Sequence, residues 1–234
     1  MSVKPTENVP QPSQAPRWAA PSPLPPAART ERLEVRLYRE GDAQSLFSAV
    51  ASSREALLPW MKWAQTRMRT EEECQEYVAD QLAAYADPAN NDFAMGIFSR
   101  EEGVVVGGTG LHRIRPEVGE AEIGYWIAAS HRGTGLCTES TGALISAALR
   151  PRTEGGWGLR RIIISCAALN LGSVRVCEKL ALRRESVRKQ DRWFAGSSSA
   201  PAGFIDSHTY AVLASEWDGT RSQVYPHLLE VAQG

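Results

Sequence analysis

The stretch Glu122-Ile123-Gly124-Tyr125-Trp126-Ile127-Ala128-Ala129-Ser130-His131-Arg132-Gly133-Thr134-Gly135-Leu136-Cys137-Thr138-Glu139 decides the fold. Its first part, together with Glu120 and Ala121 just before it, reads as a strand over residues 120–127. The two glycines break the chain, and residues 136–149 continue as an apolar helix. Glycines at a strand-to-helix junction leave successive backbone N–H groups at a helix N-terminus, a geometry that binds pyrophosphate through hydrogen bonds and the helix dipole. Alone, a Gly-x-Gly turn before a helix is also ordinary turn chemistry. The rival phosphate motifs G-x-x-x-x-G-K-[ST] and G-x-G-x-x-G are absent from the sequence.

Downstream, a loop over residues 150–158 leads to the apolar strand 161–166, so strand, helix and strand form a parallel crossover. Residues 173–180 read as a further helix, and 183–194 and 204–213 as two closing strands joined by the Gly/Ser/Ala/Pro-rich stretch 195–203. Upstream, strands 93–98 and 104–112 join 120–127 in an antiparallel meander, separated at first by the polar turn Ser99-Arg100-Glu101-Glu102-Gly103. Val35 and Leu37 alternate with Arg36 and Tyr38 in another strand. Gly41-Asp42 then supplies a stop and a helix N-cap, ahead of a helix burying Leu46, Phe47 and Val50. Thr70 with Glu73 makes a capping box before the helix carrying Tyr77, Val78, Leu82 and Tyr85. The order of elements indicates an α+β domain with one mixed sheet.

Residues 1–30 hold eight of the 14 prolines with no periodic apolar pattern and read as a disordered, flexible tail. The domain then runs over 31–218, with a C-terminal extension at 219–234. The 234 residues, 43% hydrophobic and 23% charged, bound a globular chain with one sizeable core. A net charge of -1 gives no field for general binding to nucleic acid or anionic membrane. The apolar runs are far shorter than the roughly 20 residues of a membrane span. No basic segment leads into an apolar stretch near the N-terminus, so the expected compartment is the cytoplasm. Cys74, Cys137, Cys166 and Cys177 lack zinc-ligand spacing and are expected as free thiols, with no metal bound.

In these motifs the chain resembles the GNAT superfamily of N-acetyltransferases, in particular the ribosomal-protein acetyltransferase branch typified by RimJ and RimL. Arg132-Gly133-Thr134-Gly135-Leu136-Cys137 matches the family's [Q/R]-x-x-G-x-[G/A] loop except for Cys137 at the final small position. Leu58-Pro59-Trp60-Met61-Lys62-Trp63 is similar to the branch's L-x-P-W-x-x-W segment, and Ala121-Glu122-Ile123-Gly124-Tyr125-Trp126 to its A-E-I-G-Y-W strand. The stretch from Asn170 through Ser173, Glu178 and Lys179 to Leu180 is similar to its N-x-x-S-x-x-V-x-E-K-L-G-F helix, with Ala181-Leu182 in place of Gly-Phe. The resemblance spans residues 33–217.

The resemblance implies a GNAT fold, in which a mostly antiparallel sheet carries one parallel strand pair that splays apart to admit acetyl-CoA. It places the cofactor against Ile127, the loop of Arg132, Gly133, Thr134, Gly135, Leu136, Cys137 and Thr138, and Asn170, which is also a candidate N-cap. It makes Glu122 the candidate general base and Ser173 the candidate donor to the departing thiolate. Many relatives carry a Tyr where Cys177 stands. Trp60, Trp63 and Tyr125 are the candidate walls of the acceptor cleft. Asp191 is a stand-in base, because Arg192 occupies a position where this branch often carries Glu. The implied reaction is direct transfer from acetyl-CoA to a primary amine in a ternary complex, without metal. A protein N-terminus of the ribosomal type is the first candidate acceptor, and a monomer or homodimer the expected state. A small amine such as an antibiotic, polyamine or metabolite is the alternative acceptor, and a non-catalytic CoA-binding module the alternative class.

Overall fold

A computed structural model of the chain describes residues 17–196 and 200–219. In chain order the elements are β1 (Ala28–Arg29), β2 (Leu33–Leu37), α1 (Ala43–Ala51), the short α2 (Arg54–Leu57) and α3 (Trp63–Thr66), α4 (Glu71–Ala86), β3 (Phe93–Ser99), β4 (Val105–Arg115) and β5 (Glu120–Ile127). There follow α5 (Leu136–Leu149), β6 (Arg161–Ala167), α6 (Leu171–Lys179), β7 (Arg183–Phe194) and β8 (Gly203–Leu213). Among the described residues, eight strands form one sheet in the order β1-β2-β3-β4-β5-β6-β8-β7. Every neighbouring pair is antiparallel except β5 and β6. That parallel pair is in register only at Glu120↔Arg161, Ala121↔Ile162 and Glu122↔Ile163. Beyond Glu122 the two strands part, and the resulting wedge is the main break in the sheet.

Side chains alternate across a strand, so each strand feeds two cores. Leu33, Val35, Phe93, Met95, Ile97, Ile123 and Ile162 pack with Leu144, Ile145 and Ala148 of α5. Ala94, Phe98 and Ala128 pack on the other side with Leu46 and Val50 of α1 and Val78 of α4. Helix α5 is buried along almost its whole length. Its hydroxyls stay satisfied because Ser140 and Thr141 donate back to Cys137 O. Its buried Glu139 accepts from Thr30 Oγ1 at 2.5 Å and from Arg32 Nε at 2.8 Å, the partners a buried carboxylate requires.

Three local expectations are corrected. Residues 17–30 do not behave as a free tail, since Trp18 is buried, its indole donates to Trp157 O at 2.9 Å, and β1 pairs with β2. One large aromatic outweighs the proline-rich composition there; residues 1–16 lie outside the described residues, as does most of the C-terminal extension. Asp42 makes no capping bond, because its carboxylate accepts from Arg36 and from Arg39 N. Thr70 does cap α4, accepting from Glu73 N, but the Glu73 carboxylate reaches Arg69 N rather than closing the box on Thr70. Among the described residues no helix is long and apolar enough to cross a membrane.

Candidate active site

The wedge opens into a cleft of about 560 Å³ between the ends of β5 and β6. At its floor the chain leaves β5 at Ile127 and turns through Arg132, whose Nε donates to Ile127 O at 3.4 Å. Gly133 (φ 78°) and Gly135 (φ 87°) both sit in the left-handed region, where a side chain is strained. A Cβ on Gly133 would meet nothing within 4 Å, so the loop has open space above it. The first helical bond of α5 runs from Glu139 N to Gly135 O at 3.1 Å, so the amides of Leu136, Cys137 and Thr138 point out of the helix start without a helical acceptor. This donor set, at a helix N-terminus under open space, fits a pyrophosphate group.

Ile127, Arg132, Gly133, Gly135, Leu136, Cys137, Thr138 and Asn170 all line the cleft. Thr134 does not: its hydroxyl donates to His131 O at 2.7 Å and its carbonyl accepts from Arg32 Nη1 at 3.1 Å, which turns it away. Asn170 caps α6, its Oδ1 accepting from Ser173 N at 3.2 Å.

Facing α6 across the wedge, Tyr125 extends from β5. Its hydroxyl lies 2.9 Å from Ser173 Oγ and 3.8 Å from Cys177 Sγ. Burial raises the Tyr125 phenol well above its ordinary range, so the hydroxyl keeps its proton. Burial likewise pushes the Cys137 thiol up to about 12. Cys166, at the end of β6, is lowered, chiefly by its hydrogen bond with the Cys177 thiol, which is raised in turn.

On the opposite face of β5 stands Glu122, part-buried, whose Oε2 accepts from Arg113 Nη1 at 2.6 Å. A second hollow of about 420 Å³ adjoins the cleft and shares Met61, Arg113, Glu122, Gly124, Tyr125 and Trp126 with it. Trp60 stacks on Phe194 at 5.2 Å beside the first hollow, and Trp63 lies against Trp126 at 6.0 Å beside the second. Arg192 lines the first hollow. Asp191 lines neither and pairs with Arg188 at 3.3 Å. A register shift between Arg188 and Arg192, with Gln190 at φ 50°, sets which of these neighbours faces inward.

Sequence reasoning missed several of these neighbours. Arg113 reaches Glu122 because β4 is irregular between His112 and Arg115 and Arg113 itself has φ 48°. His112 pairs with Asp92, 20 residues away, with Nδ1 to Oδ1 at 2.8 Å. Only strand register brings that pair together; the signal available was a His opposite Glu122 in the meander. Among the described residues no group of three or more His, Cys, Asp or Glu is placed to hold a metal ion.

Residues 32–183 match the family model of the acetyltransferase (GNAT) domain. The chain is 26% identical over 191 residues to the putative ribosomal N-acetyltransferase YdaF of Bacillus subtilis (strain 168), covering 82% of this chain and 96% of that one. It is 27% identical over 161 residues to the ribosomal-protein-serine acetyltransferase of Escherichia coli (strain K12), covering 69% and 84%. Among solved structures, RimL, a ribosomal L7/L12 alpha-N-protein acetyltransferase in complex with coenzyme A, superposes with a TM-score of 0.68 at 23% identity, over 80% of this chain and 97% of that one. The ribosomal-protein-S5-alanine acetyltransferase from Vibrio fischeri does so with the same TM-score at 18% identity, over 82% and 98%. These two likenesses establish the shared fold.

Proposed function

This chain belongs to the acetyltransferase (GNAT) family, and from that premise we propose that the amine it acetylates is a protein N-terminal α-amine, of the kind carried by ribosomal proteins. The protein is an acetyl-CoA-dependent N-acetyltransferase. The acceptor assignment draws on the relatives named for ribosomal proteins and on basicity: an α-amine has a pKa of about 7.7–8.0 against about 10.4 for Lys, so its neutral, nucleophilic form is far easier to reach. Acetyl-CoA and such acceptors meet in the cytoplasm, the compartment we assign.

The observation that carries the reading is the meeting of two hollows at Glu122. In our assignment the first, floored by the amides of residues 135–138, takes acetyl-CoA, with the pyrophosphate held by backbone N–H groups and the α5 dipole. The second takes the first residues of the acceptor between Trp63, Trp126 and Met61. Glu122 accepts a proton from the amine, while Ser173 and Tyr125 donate hydrogen bonds to the sulfur as the C–S bond breaks. Holding both partners in one wedge turns a bimolecular reaction into an effectively unimolecular one.

The test is release of CoA by the purified protein against ribosomal N-terminal peptides, polyamines and aminoglycosides, with the acetylated atom read by mass spectrometry. N-terminal peptides are expected to be the preferred acceptors, and the same peptides with blocked N-termini to be inert. Preference for a polyamine or aminoglycoside overturns the acceptor assignment. Tight CoA binding with no transfer to any amine supports a non-catalytic module instead.

A further inference from the structure

A primary ammonium must lose two protons to become an amide. One leaves before attack, to free the nitrogen lone pair. The other leaves as the C–N bond forms and the C–S bond breaks; the thiolate takes up one proton, and one passes to solvent. Glu122 has room for one of these.

The side chain next to it is His112. The two residues are Cα partners across β4 and β5, which sets their Cβ atoms about 4.5–5.5 Å apart on one face. The imidazole fills the space that side chains at two glycines would take: a Cβ on Gly110 would come within 2.7 Å of His112 Nε2, and one on Gly124 would sit 3.6 Å from Cδ2. Its Nδ1 is 2.8 Å from Asp92 Oδ1. Asp92 is itself placed by a turn, since its N–H donates to Asn90 Oδ1 at 3.1 Å and Ile114 N donates to Asn91 O at 2.9 Å. A carboxylate only accepts, so in the neutral ring Nδ1 is the donor and Nε2 carries the lone pair. Among the described residues Nε2 has no hydrogen-bond partner, and the imidazole lines the second hollow with Glu122.

We propose that His112, held by Asp92, is a catalytic residue that takes the first proton from the acceptor ammonium at Nε2, and that Glu122 takes the second as the C–N bond forms. This rests on the acetyl-transfer reading above. Asp92 stabilises the imidazolium so formed, as an orienting carboxylate does beside a histidine base. The other groups facing His112 are Glu122 on β5, Arg113 on β4, Tyr38 after β2, Arg67 before α4, and Tyr77 and Gln81 on α4. None of them is a neutral lone-pair base aimed into the hollow.

The experiment compares kcat/KM from pH 6 to 9 for wild type, His112→Gln, Asp92→Asn and Glu122→Gln with an N-terminal peptide acceptor, in variants whose melting temperature and acetyl-CoA affinity match wild type. His112→Gln is expected to lose about 10²-fold or more near pH 7, where the ring can accept a proton and the amine still carries one, within the range for a lost acid–base group, and to recover to within a few-fold at pH 9. At that pH the amine arrives neutral. Asp92→Asn should show the same trend more weakly, whereas the Glu122→Gln deficit should persist at pH 9. A His112→Gln enzyme with the wild-type rate throughout, or with a deficit independent of pH, overturns the proposal. A second readout needs no acceptor: nitrogen NMR of the His112 ring at pH 8 should show a protonated Nδ1 and a bare Nε2. The opposite tautomer overturns the proposal by itself, whereas failure of every amine to be acetylated counts against the acceptor assignment.

Discussion

The Tyr125 hydroxyl and the Ser173 Oγ lie 2.9 Å apart, so a strand residue and a helix residue share one hydrogen bond across the wedge. The same phenol is 3.8 Å from Cys177 Sγ. In this chain the phenol comes from the β5 side. Tyr125 stays protonated through the neutral range, and under the mechanism proposed above it and Ser173 would serve as one donor unit. Tyr125→Phe and Ser173→Ala are each expected to slow kcat about 10-fold or more, and the double variant to lose less than the product of the two, the mark of groups in direct contact. Single-turnover rates at saturating acetyl-CoA check this; independent, multiplicative losses would separate their roles.

Gly135→Val is expected to raise the acetyl-CoA Kd more than 10-fold. Valine at φ 87° costs about 1–3 kcal/mol of backbone strain, which tips the first turn of α5 and misaims its free amides. Isothermal calorimetry on the folded variant measures it, and unchanged affinity would move the cofactor off this loop.

Trp18→Ala should destabilise the domain by about 3 kcal/mol or more, as expected for emptying a buried Trp site, which at ~2–4 °C per kcal/mol is a fall of roughly 6–12 °C in melting temperature. Removing residues 1–16 should leave it nearly unchanged, whereas removing 1–30 should lower it at least as far as Trp18→Ala. Thermal melts of the three proteins decide.

Cys166 should be the fastest of the four thiols to alkylate near neutral pH. The Cys177 hydrogen bond favours its thiolate, so its rate should climb with pH earlier than that of the other thiols, while Cys137, pushed up by burial, stays a thiol. Because Cys166 lines the cleft, acetyl-CoA should protect it. Peptide mapping after brief iodoacetamide treatment at pH 6, 7 and 8 reads the order; a flat profile for Cys166 would contradict the shift.

Much of this arrangement was legible in the sequence because local periodicity carries it. The bounds of α5 and the β5–α5–β6 crossover follow from an apolar strand, a glycine loop and an apolar helix in succession, and Asn170 announced itself as the cap three residues before Ser173. What stayed hidden depends on contacts between distant segments. The His112–Asp92 pair needs the register of β4 on β3, and the Arg113–Glu122 bond needs an irregularity at one residue of β4, which no periodic pattern encodes. Asp42 has the composition of a cap, yet Arg36 claims its carboxylate. Trp18 was masked by the prolines around it, since disorder is read from average composition and a single docked indole hardly changes an average.

The carboxylate of Glu139 ties together parts of the chain far apart in sequence. Thr30 and Arg32 both bind it, and Arg32 also holds Thr134 O, 102 residues away, in the loop that turns into α5. The entry of the chain into its first long strand and the glycine loop are thus fastened to a common anchor. For anyone building fusions, this sets a splice rule: a tag or partner domain joined ahead of residue 17 keeps Thr30 and Arg32 in place, whereas a junction cut at residue 33 discards both side chains that bind the Glu139 carboxylate and removes the hydrogen bond that Arg32 gives to the glycine loop.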